Sequence, residues 1–187
     1  MAEHQKYFEY LKTRSKLGLV YRKYWLYPRL VKNLKAKTLD IGCGIGDFVS
    51  YRKNTFGIDI NKNNVNWCKE NGLPVALMEI DKIPYSDASF NSIVIDNVLE
   101  HIKNPIPMLN EAKRVLTENG ILVVGVPGAY AYTTDDDHKI FYSQLNLIKT
   151  LENNGFTKKK IFMMPFKSKI LDKYTRQYCL YGVFIKN

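Results

Sequence analysis

The segment Leu39–Phe48, with the sequence LDIGCGIGDF, constrains the fold of this chain more than any other. Its apolar start predicts a buried strand over Thr38–Ile41, and glycine then occupies every second position of a turn that leads into a helix at Asp47. Glycine adopts backbone angles that other residues avoid and leaves space for a ligand beside the main chain. Open α/β sheets bind ligands beyond the carboxyl ends of their strands, so Asp40 and this turn predict a nucleoside-cofactor site.

The spacing of the glycines separates two classes of cofactor. The dinucleotide fingerprint is G-x-G-x-x-G/A, with a pyrophosphate at the helix N-terminus, whereas this turn reads G-x-G-x-G and continues with Asp47. Carboxylates on both sides of the turn, Asp40 and Asp47, suit a cationic ligand better than a pyrophosphate. S-adenosylmethionine (SAM) carries a sulfonium and an ammonium group and therefore has the matching charge. A tight turn without a ligand is the alternative.

The net charge of +10 is unevenly distributed along the chain. Residues 1–37 contain ten Lys or Arg and two Glu, a net charge of +8, and residues 158–187 carry +7. Residues 38–157 between them carry −5. The acidic centre agrees with a cationic cofactor, and the basic ends point to an anionic substrate, a nucleic acid or a membrane surface.

The length and composition indicate one domain over residues 1–187, made of an N-terminal helical cover (1–36) and an α/β core (37–187). No apolar run approaches the roughly 18 residues that span a bilayer, and the N-terminus lacks the apolar segment of a signal peptide. The cysteines are far apart and lack histidines at metal-ligand spacing, so we expect neither disulfides nor a metal site. They are Cys43, Cys68 and Cys179. These features predict a reduced, cytoplasmic protein.

Strands and helices alternate along the chain, which predicts an α/β fold with a doubly wound, Rossmann-like and mostly parallel sheet between two layers of helices. The predicted strands are Thr38–Ile41, Phe56–Ile60, Val75–Met78, Ser92–Ile95, Gly120–Val126, 159–164 and 177–185. The predicted helices span 47–53, 62–71, 107–116 and 141–153. Residues 7–34 are predicted to form one or two further helices, broken near Gly18 and Pro28.

Asp59 ends the second predicted strand, about twenty residues beyond the first motif. An acid at that position can accept hydrogen bonds from both ribose hydroxyls of a nucleoside cofactor. Dinucleotide and SAM sites share this role, so Asp59 does not separate them. The alternative is an aspartate that caps the following helix.

The segment Met78–Ile102 adds further motifs: an acidic stretch, an apolar strand that ends in Asp96-Asn97, and the run Leu-Glu-His-Ile. In this order, the glycine turn and the later motifs resemble the class I SAM-dependent methyltransferases, specifically the type 11 methyltransferase domain, over roughly two-thirds of the chain. The resemblance covers Lys37 to Phe156 and implies a seven-stranded sheet whose last strand is antiparallel. The family usually has Asp where Asn91 stands, in a structural position.

The resemblance also implies which residues contact SAM. They are Asp40, Gly42, Cys43, Gly44, Gly46, Asp59, Ile60, Glu79, Ile80, Asp96 and Asn97. Asp40 and the backbone of the glycine turn would hold the methionine end, and Asp59 the ribose. Glu79 would accept from the adenine amino group, with Asp81 as the alternative acid, and Ile80 would offer its N–H to the ring. Asp96 and Asn97 would lie under the sulfonium.

Two histidines are candidates for catalysis. His138 lies in the segment 127–141 after the fifth predicted strand, where substrate loops belong, and it could take a proton from an attacking hydroxyl or amine. The alternative is that Asp135–Asp137 cap a helix that begins near Ile140, with His138 in its first turn. His101 matches the family's motif after the fourth strand, and its alternative role is to fix a loop by a hydrogen bond.

The predicted activity is SAM-dependent methyl transfer to an oxygen or nitrogen acceptor, with S-adenosyl-L-homocysteine as the product. The basic ends favour a small, anionic or sugar-linked metabolite of the surface-polysaccharide or secondary-metabolite type. A methyltransferase that modifies RNA through the basic ends and a SAM-binding protein without turnover are the alternatives. For the basic N-terminal segment three roles stay open: packing on the core as a cover, binding an anionic acceptor through Tyr21–Arg29, or contacting a membrane surface through residues 7–34. The oligomeric state also stays open.

Overall fold

The computed structural model describes residues 2–187 and contains a seven-stranded sheet with the strand order β3-β2-β1-β4-β5-β7-β6. The strands are β1 (Thr38–Ile41), β2 (Thr55–Asp59), β3 (Val75–Leu77), β4 (Phe90–Asp96), β5 (Leu116–Pro127), β6 (Phe156–Met164) and β7 (Cys179–Lys186). Strands β1 to β5 pair in parallel, and β7 runs antiparallel to both β5 and β6. The predicted fold class is confirmed, including the antiparallel last strand.

Helices pack around this sheet. They are α1 (Ala2–Lys12), α2 (Lys16–Tyr21), α3 (Tyr27–Val31), α4 (Asp47–Tyr51), α5 (Lys62–Glu70), α6 (Ile106–Val115), α7 (Ala129–Tyr132), α8 (Gln144–Asn153) and α9 (Lys169–Tyr174). A π-helical segment, Arg22–Leu26, joins α2 to α3, and a 3₁₀ turn, Leu99–His101, follows β4. Within residues 2–187, no helix combines the length and the apolar character that crossing a membrane requires.

The central strands place their side chains alternately in two apolar layers. On β4, Ile93 and Ile95 lie in the larger layer, together with Leu147 of α8. Val94 lies in the second layer, together with Leu30 of α3. An apolar strand with both faces covered is typical of a parallel sheet. The N-terminal helices are therefore part of the packing of one face, and not an appendage to it.

The register of the sheet brings three aspartates to one edge. Asp40 is level with Gly57 of β2 on one side and with Val94 of β4 on the other. Asp59 ends β2 and Asp96 ends β4. Because β1 lies between these two parallel strands, the three carboxylates meet beyond the carboxyl ends of the strands, where α/β sheets bind ligands.

The breaks in the N-terminal helices differ from the prediction. Gly18 lies inside α2 and donates its N–H to Ser15 Oγ (3.1 Å), so the interruption comes earlier, where Ser15 caps the helix. Pro28 lies near the start of α3, directly after the π-helical segment. Proline cannot donate to the preceding turn, and a locally widened turn accommodates that loss without ending the helix.

The segment between β5 and α8 also differs from the prediction. The helix expected near Ile140 begins at Gln144, and Ser143 caps it by accepting from Asn146 N. The alternative in which Asp135–Asp137 cap this helix is therefore wrong. The short helices α7 and α9 were not predicted, because four to six residues carry too little periodicity to be recognised.

Arg114 of α6 holds the loop between β3 and β4. Its guanidinium donates to the carbonyls of Ile83 (3.0 Å) and Tyr85 (2.8 Å) and forms ion pairs with Asp87 and Glu111. Glu111 in turn accepts from Ile83 N at 2.9 Å. One arginine therefore satisfies two loop carbonyls and two carboxylates at once.

We expect Arg114→Met to lower the free energy of unfolding by about 1–3 kcal/mol, because two charge-assisted hydrogen bonds to carbonyls and two ion pairs are lost. Urea unfolding followed by circular dichroism measures the change. Arg176→Met is the matched control, since Arg176 is exposed and has no hydrogen-bond or ion-pair partner in the described part of the chain. Equal effects of the two substitutions would show that the loop does not depend on Arg114.

Candidate cofactor and acceptor site

The glycine turn between β1 and α4 has a backbone that requires glycine. Gly42, Gly44 and Gly46 have φ angles of +72°, +55° and +80°, which L side chains rarely adopt. A Cβ on Gly44 would lie 3.0 Å from a methyl carbon of Leu11, at the surface where the N-terminal helices meet the turn. The alternating glycines therefore allow both the conformation of the turn and its close approach to other groups.

Asp59 holds this turn in place. Its Oδ2 accepts from Gly44 N (2.8 Å), and its Oδ1 accepts from Asn61 N (2.8 Å) and Asn64 Nδ2 (3.2 Å). Burial raises the pKa of Asp59, while these hydrogen bonds act to lower it. The cap of α5 is Asn61, which accepts from Asn63 N, so Asp59 is not the capping residue that the alternative required.

Asp40 has no hydrogen-bond partner in the described residues, although only 5% of it is exposed. Burial, together with the negative charges of Asp96 and Asp59, holds the pKa of Asp40 well above its ordinary value. A buried carboxylate without a partner reduces stability, and perturbed groups of this kind concentrate at functional sites. The environment of Asp40 therefore favours a positively charged ligand.

Asp96, by contrast, has protein partners for both of its carboxylate oxygens. Its Oδ1 accepts from Tyr181 Oη (2.6 Å) and from Asn97 Nδ2 (2.9 Å), and its Oδ2 lies 3.4 Å from a guanidinium nitrogen of Arg22. A Cβ on Gly125 of the adjacent strand would lie 2.6 Å from Asp96 Oδ1. The sequence identified Asp96 but did not predict its contacts with Tyr181 and Arg22, which come from distant parts of the chain.

The N-terminal helices close over this edge of the sheet. Arg14 forms an ion pair with Asp47, and Arg22 with Asp96, so each joins the helical cover to a carboxylate of the core. The cavity beneath has a volume of about 90 Å³. Asp40, the glycine turn and Asp96 line this cavity on the sheet side, and Arg14 and Arg22 line it on the side of the cover.

The residues predicted to contact adenine lie apart from this cavity. Glu79, Ile80 and Asp81 are exposed in a turn after β3, where Lys82 N donates to Glu79 O at 3.3 Å. Either acid is accessible to a ligand, so both assignments stay predictions. Asn91 is structural here as well, because it accepts from Lys37 N at the start of β1 (3.1 Å).

A second group of residues lies beyond the ends of β4 and β5. His138 is mostly buried, stacks on Tyr132 with ring centroids 5.2 Å apart, and places Nδ1 2.7 Å from Tyr132 O. A carbonyl only accepts hydrogen bonds, so Nδ1 carries the proton and Nε2 has a free lone pair in neutral His138. His101 lies beside it, with Nδ1 3.1 Å from Asp137 Oδ2.

Glu100 belongs to the same group as the two histidines and was missed as a candidate. It is 1% exposed, and neither carboxylate oxygen has a hydrogen-bond partner in the described residues. Burial, with the charges of Asp96 and Asp135, raises the pKa of Glu100 to about 8. The signal available in the sequence was the acid adjacent to His101, directly after an apolar strand.

Comparisons with known proteins agree with this geometry. Residues 39–124 match the family model described as "Methyltransferase domain". An uncharacterised protein of Methanocaldococcus jannaschii is 29% identical over 71% of this chain and 70% of its own length. A "probable S-adenosylmethionine-dependent methyltransferase" of Mycolicibacterium smegmatis is 25% identical over 74% of this chain and 62% of its own length.

The solved structures give the same fold. The crystal structure of a SAM-dependent methyltransferase from Thermotoga maritima aligns over 100% of both chains with a TM-score of 0.77 and 19% identity. The matched residues 39–124 run from β1 into β5 and include the glycine turn, Asp59 and Asp96. Residues 39–124 therefore match the methyltransferase-domain family, and the whole chain has the fold of a SAM-dependent methyltransferase.

Proposed function

We propose that this enzyme transfers the methyl group of SAM, by in-line displacement, to an oxygen or nitrogen of a small, anionic or sugar-linked metabolite. The observation that carries the proposal is the division of charge in the cavity. The sheet side contributes the carboxylates of Asp40 and Asp96, and the helical cover contributes the guanidinium groups of Arg14 and Arg22.

The sheet side fits the cationic end of the cofactor. Asp40 supplies a buried carboxyl group without a hydrogen-bond partner in the described residues, and the glycine turn leaves the backbone open to a ligand. Asp59 lies at the end of the neighbouring strand, where its carboxylate can accept from the ribose in addition to its protein partners. SAM supplies a methyl group activated by its positive sulfur, and alignment with the acceptor can contribute roughly 7–11 kcal/mol to catalysis.

The cover side fits an anionic acceptor. In the closed arrangement Arg14 and Arg22 are neutralised by Asp47 and Asp96. A cation that reaches the sheet side competes for these carboxylates and frees the arginines for an anion. The carboxylates would thus pair with the cationic cofactor instead of the arginines, and the arginines would pair with the anionic acceptor.

The acceptor proton needs a base only when the acceptor is a hydroxyl or an ammonium. Attack by the acceptor lone pair forms the new bond to the methyl carbon, and the bond to sulfur breaks to leave neutral S-adenosyl-L-homocysteine. Nε2 of His138 has a free lone pair and is our candidate to take the released proton. His101 then acts as a neighbour that keeps the loop of Asp137 in place.

Binding of the cofactor is tested by two substitutions. We expect SAM and S-adenosyl-L-homocysteine to raise the melting temperature (Tm) and Asp40→Asn to reduce that shift sharply, because the amide lacks the negative charge. Asp59→Ala should also reduce the shift, but it removes three protein hydrogen bonds as well. Glu70→Ala, an exposed charge removal on α5, is the control. A full ligand shift in Asp40→Asn would contradict the assignment.

Although Asp40→Asn should weaken the binding of SAM, we expect it to stabilise the ligand-free protein. Because the pKa of Asp40 is raised above its ordinary value of 3.8 in the folded state, the unfolded chain releases this proton at a lower pH than the folded protein does. The free energy of unfolding therefore falls as the pH rises from the unfolded-state pKa of Asp40 to its higher folded-state pKa. Asp40→Asn removes this decrease, because the amide does not ionise. We expect the ligand-free variant to have a higher Tm than the wild type at pH 7 and an equal one below about pH 4. Calorimetry at the two pH values measures the difference.

The role of His138 is tested by His138→Gln, which keeps a polar side chain but removes the basic nitrogen. We expect methyl transfer to fall by roughly 10²–10⁴-fold if the acceptor must lose a proton, while the affinity for SAM stays unchanged. Single-turnover transfer and calorimetric SAM titration separate the two quantities. Retention of the full rate in His138→Gln would leave the histidine a structural role only.

The acceptor class is tested with radiolabelled SAM and cell extracts separated into sugar-nucleotide, small-metabolite, lipid and nucleic acid fractions. The proposal expects label in a sugar-nucleotide or anionic small-metabolite fraction. Arg22→Gln should then raise KM for that acceptor more than it lowers kcat, because uniform binding is lost. Incorporation into nucleic acid alone, with a steep dependence on salt, would instead favour an RNA acceptor.

A further inference from the structure

Three potential metal ligands meet beyond the ends of β4 and β5. Glu100 and His101 lie in the 3₁₀ turn after β4, and His138 lies in the loop after α7. One ligand atom of each residue lies within 4.8 Å of the other two. The two segments are joined by the carbonyl of Glu100, which accepts from Lys139 N (2.7 Å) and Ile140 N (3.0 Å). The backbone therefore fixes the relative position of the three side chains.

Glu100 gives an independent indication that a ligand belongs here. Its carboxylate is 1% exposed and has no hydrogen-bond partner among the described residues, and its Oε1 lies 4.0 Å from His138 Nε2. A distance of 4.0 Å is too long for a hydrogen bond. Buried carboxylates without partners are rare, because the lost hydration is not replaced, unless they bind a metal or another cation.

The two imidazoles are oriented as metal-bound histidines are. In such sites one ring nitrogen donates to a carbonyl or carboxylate, which fixes the tautomer and leaves the other nitrogen for the metal. His138 meets this condition through Nδ1 and Tyr132 O at 2.7 Å, and Nε2 faces Glu100. His101 has Asp137 as a carboxylate partner 3.1 Å from Nδ1.

We propose that Glu100, His101 and His138 bind a divalent transition-metal ion. Two imidazoles and one carboxylate suit Zn²⁺, Fe²⁺, Co²⁺ or Mn²⁺, whereas Ca²⁺ and Mg²⁺ prefer oxygen ligands. Bonds of roughly 2.0–2.2 Å place neighbouring ligands about 3.4 Å apart in a tetrahedron. The side chains therefore approach one another by about 1 Å when the ion binds.

The ion changes the chemistry of His138. A nitrogen that holds a metal cannot accept a proton, so His138 serves as a base only in the metal-free enzyme. A bound divalent ion lowers the pKa of an oxygen that it coordinates. The binding site itself rests on the three side chains and does not depend on methyl transfer.

The test uses full-length protein without an affinity tag, treated with a chelator and titrated with Zn²⁺ by calorimetry. We expect one ion per chain, and a roughly 10- to 100-fold loss of affinity, or more, in Glu100→Gln and in His101→Gln. His4→Ala is the matched control, because His4 is the third histidine of the chain and is exposed outside the cluster. Its Zn²⁺ affinity should equal that of the wild type.

Titration with Co²⁺ gives a readout that does not rely on variants. Visible absorption bands from a low-symmetry Co²⁺ site should saturate at one equivalent and disappear on addition of Zn²⁺. Circular dichroism confirms that each variant is folded before its titration is interpreted. Absence of binding by the wild type, or equal Zn²⁺ affinity in the wild type and Glu100→Gln, would overturn the proposal. Because no SAM is present, this result is independent of the methyl acceptor.

Discussion

The crowding of carboxylates at one edge of the sheet is the constraint on which the site depends. Asp59 is accommodated by three hydrogen bonds, including one from the backbone of the glycine turn. Asp96 is accommodated by Tyr181, Asn97 and Arg22. Asp40 has no such partner, and burial together with its acidic neighbours raises its pKa. This edge of the sheet therefore favours a positive charge near Asp40, and the sulfonium cofactor SAM carries one.

The uneven charge of the chain follows from this arrangement. The central segment carries the carboxylates of the sheet edge, and the N-terminal segment returns over it with Arg14 and Arg22. Each ion pair closes the cover on the ligand-free protein, and a cavity of about 90 Å³ is left beneath. A cationic cofactor that binds these carboxylates weakens the contacts that close the cover.

Local signals explain which parts could be predicted from the sequence. The strand β1, the glycine turn and Asp59 are contiguous or regularly spaced, so periodicity and glycine placement identify them. The contacts of Tyr181 and Arg22 with Asp96 could not be predicted, because these residues lie 85 and 74 positions from Asp96 in the sequence and meet it only in the folded protein. The start of α8 was misplaced because aromatic residues before Ser143 continue the apolar pattern; Tyr142 is buried although it lies outside the helix.

The cluster of Glu100, His101 and His138 shows a different limit of prediction from sequence. His101 and His138 were recognised as single residues. Glu100 becomes a candidate ligand only because the structure shows its carboxylate buried without a hydrogen-bond partner in the described residues. The hydrogen bond from His138 Nδ1 to Tyr132 leaves a single nitrogen to face Glu100. That nitrogen can hold a proton or an ion, but not both. The charge of Glu100 depends on the same choice, because burial raises its pKa whereas a bound ion would stabilise the carboxylate. One buried side chain thus determines which of two chemistries the loop around His138 supports.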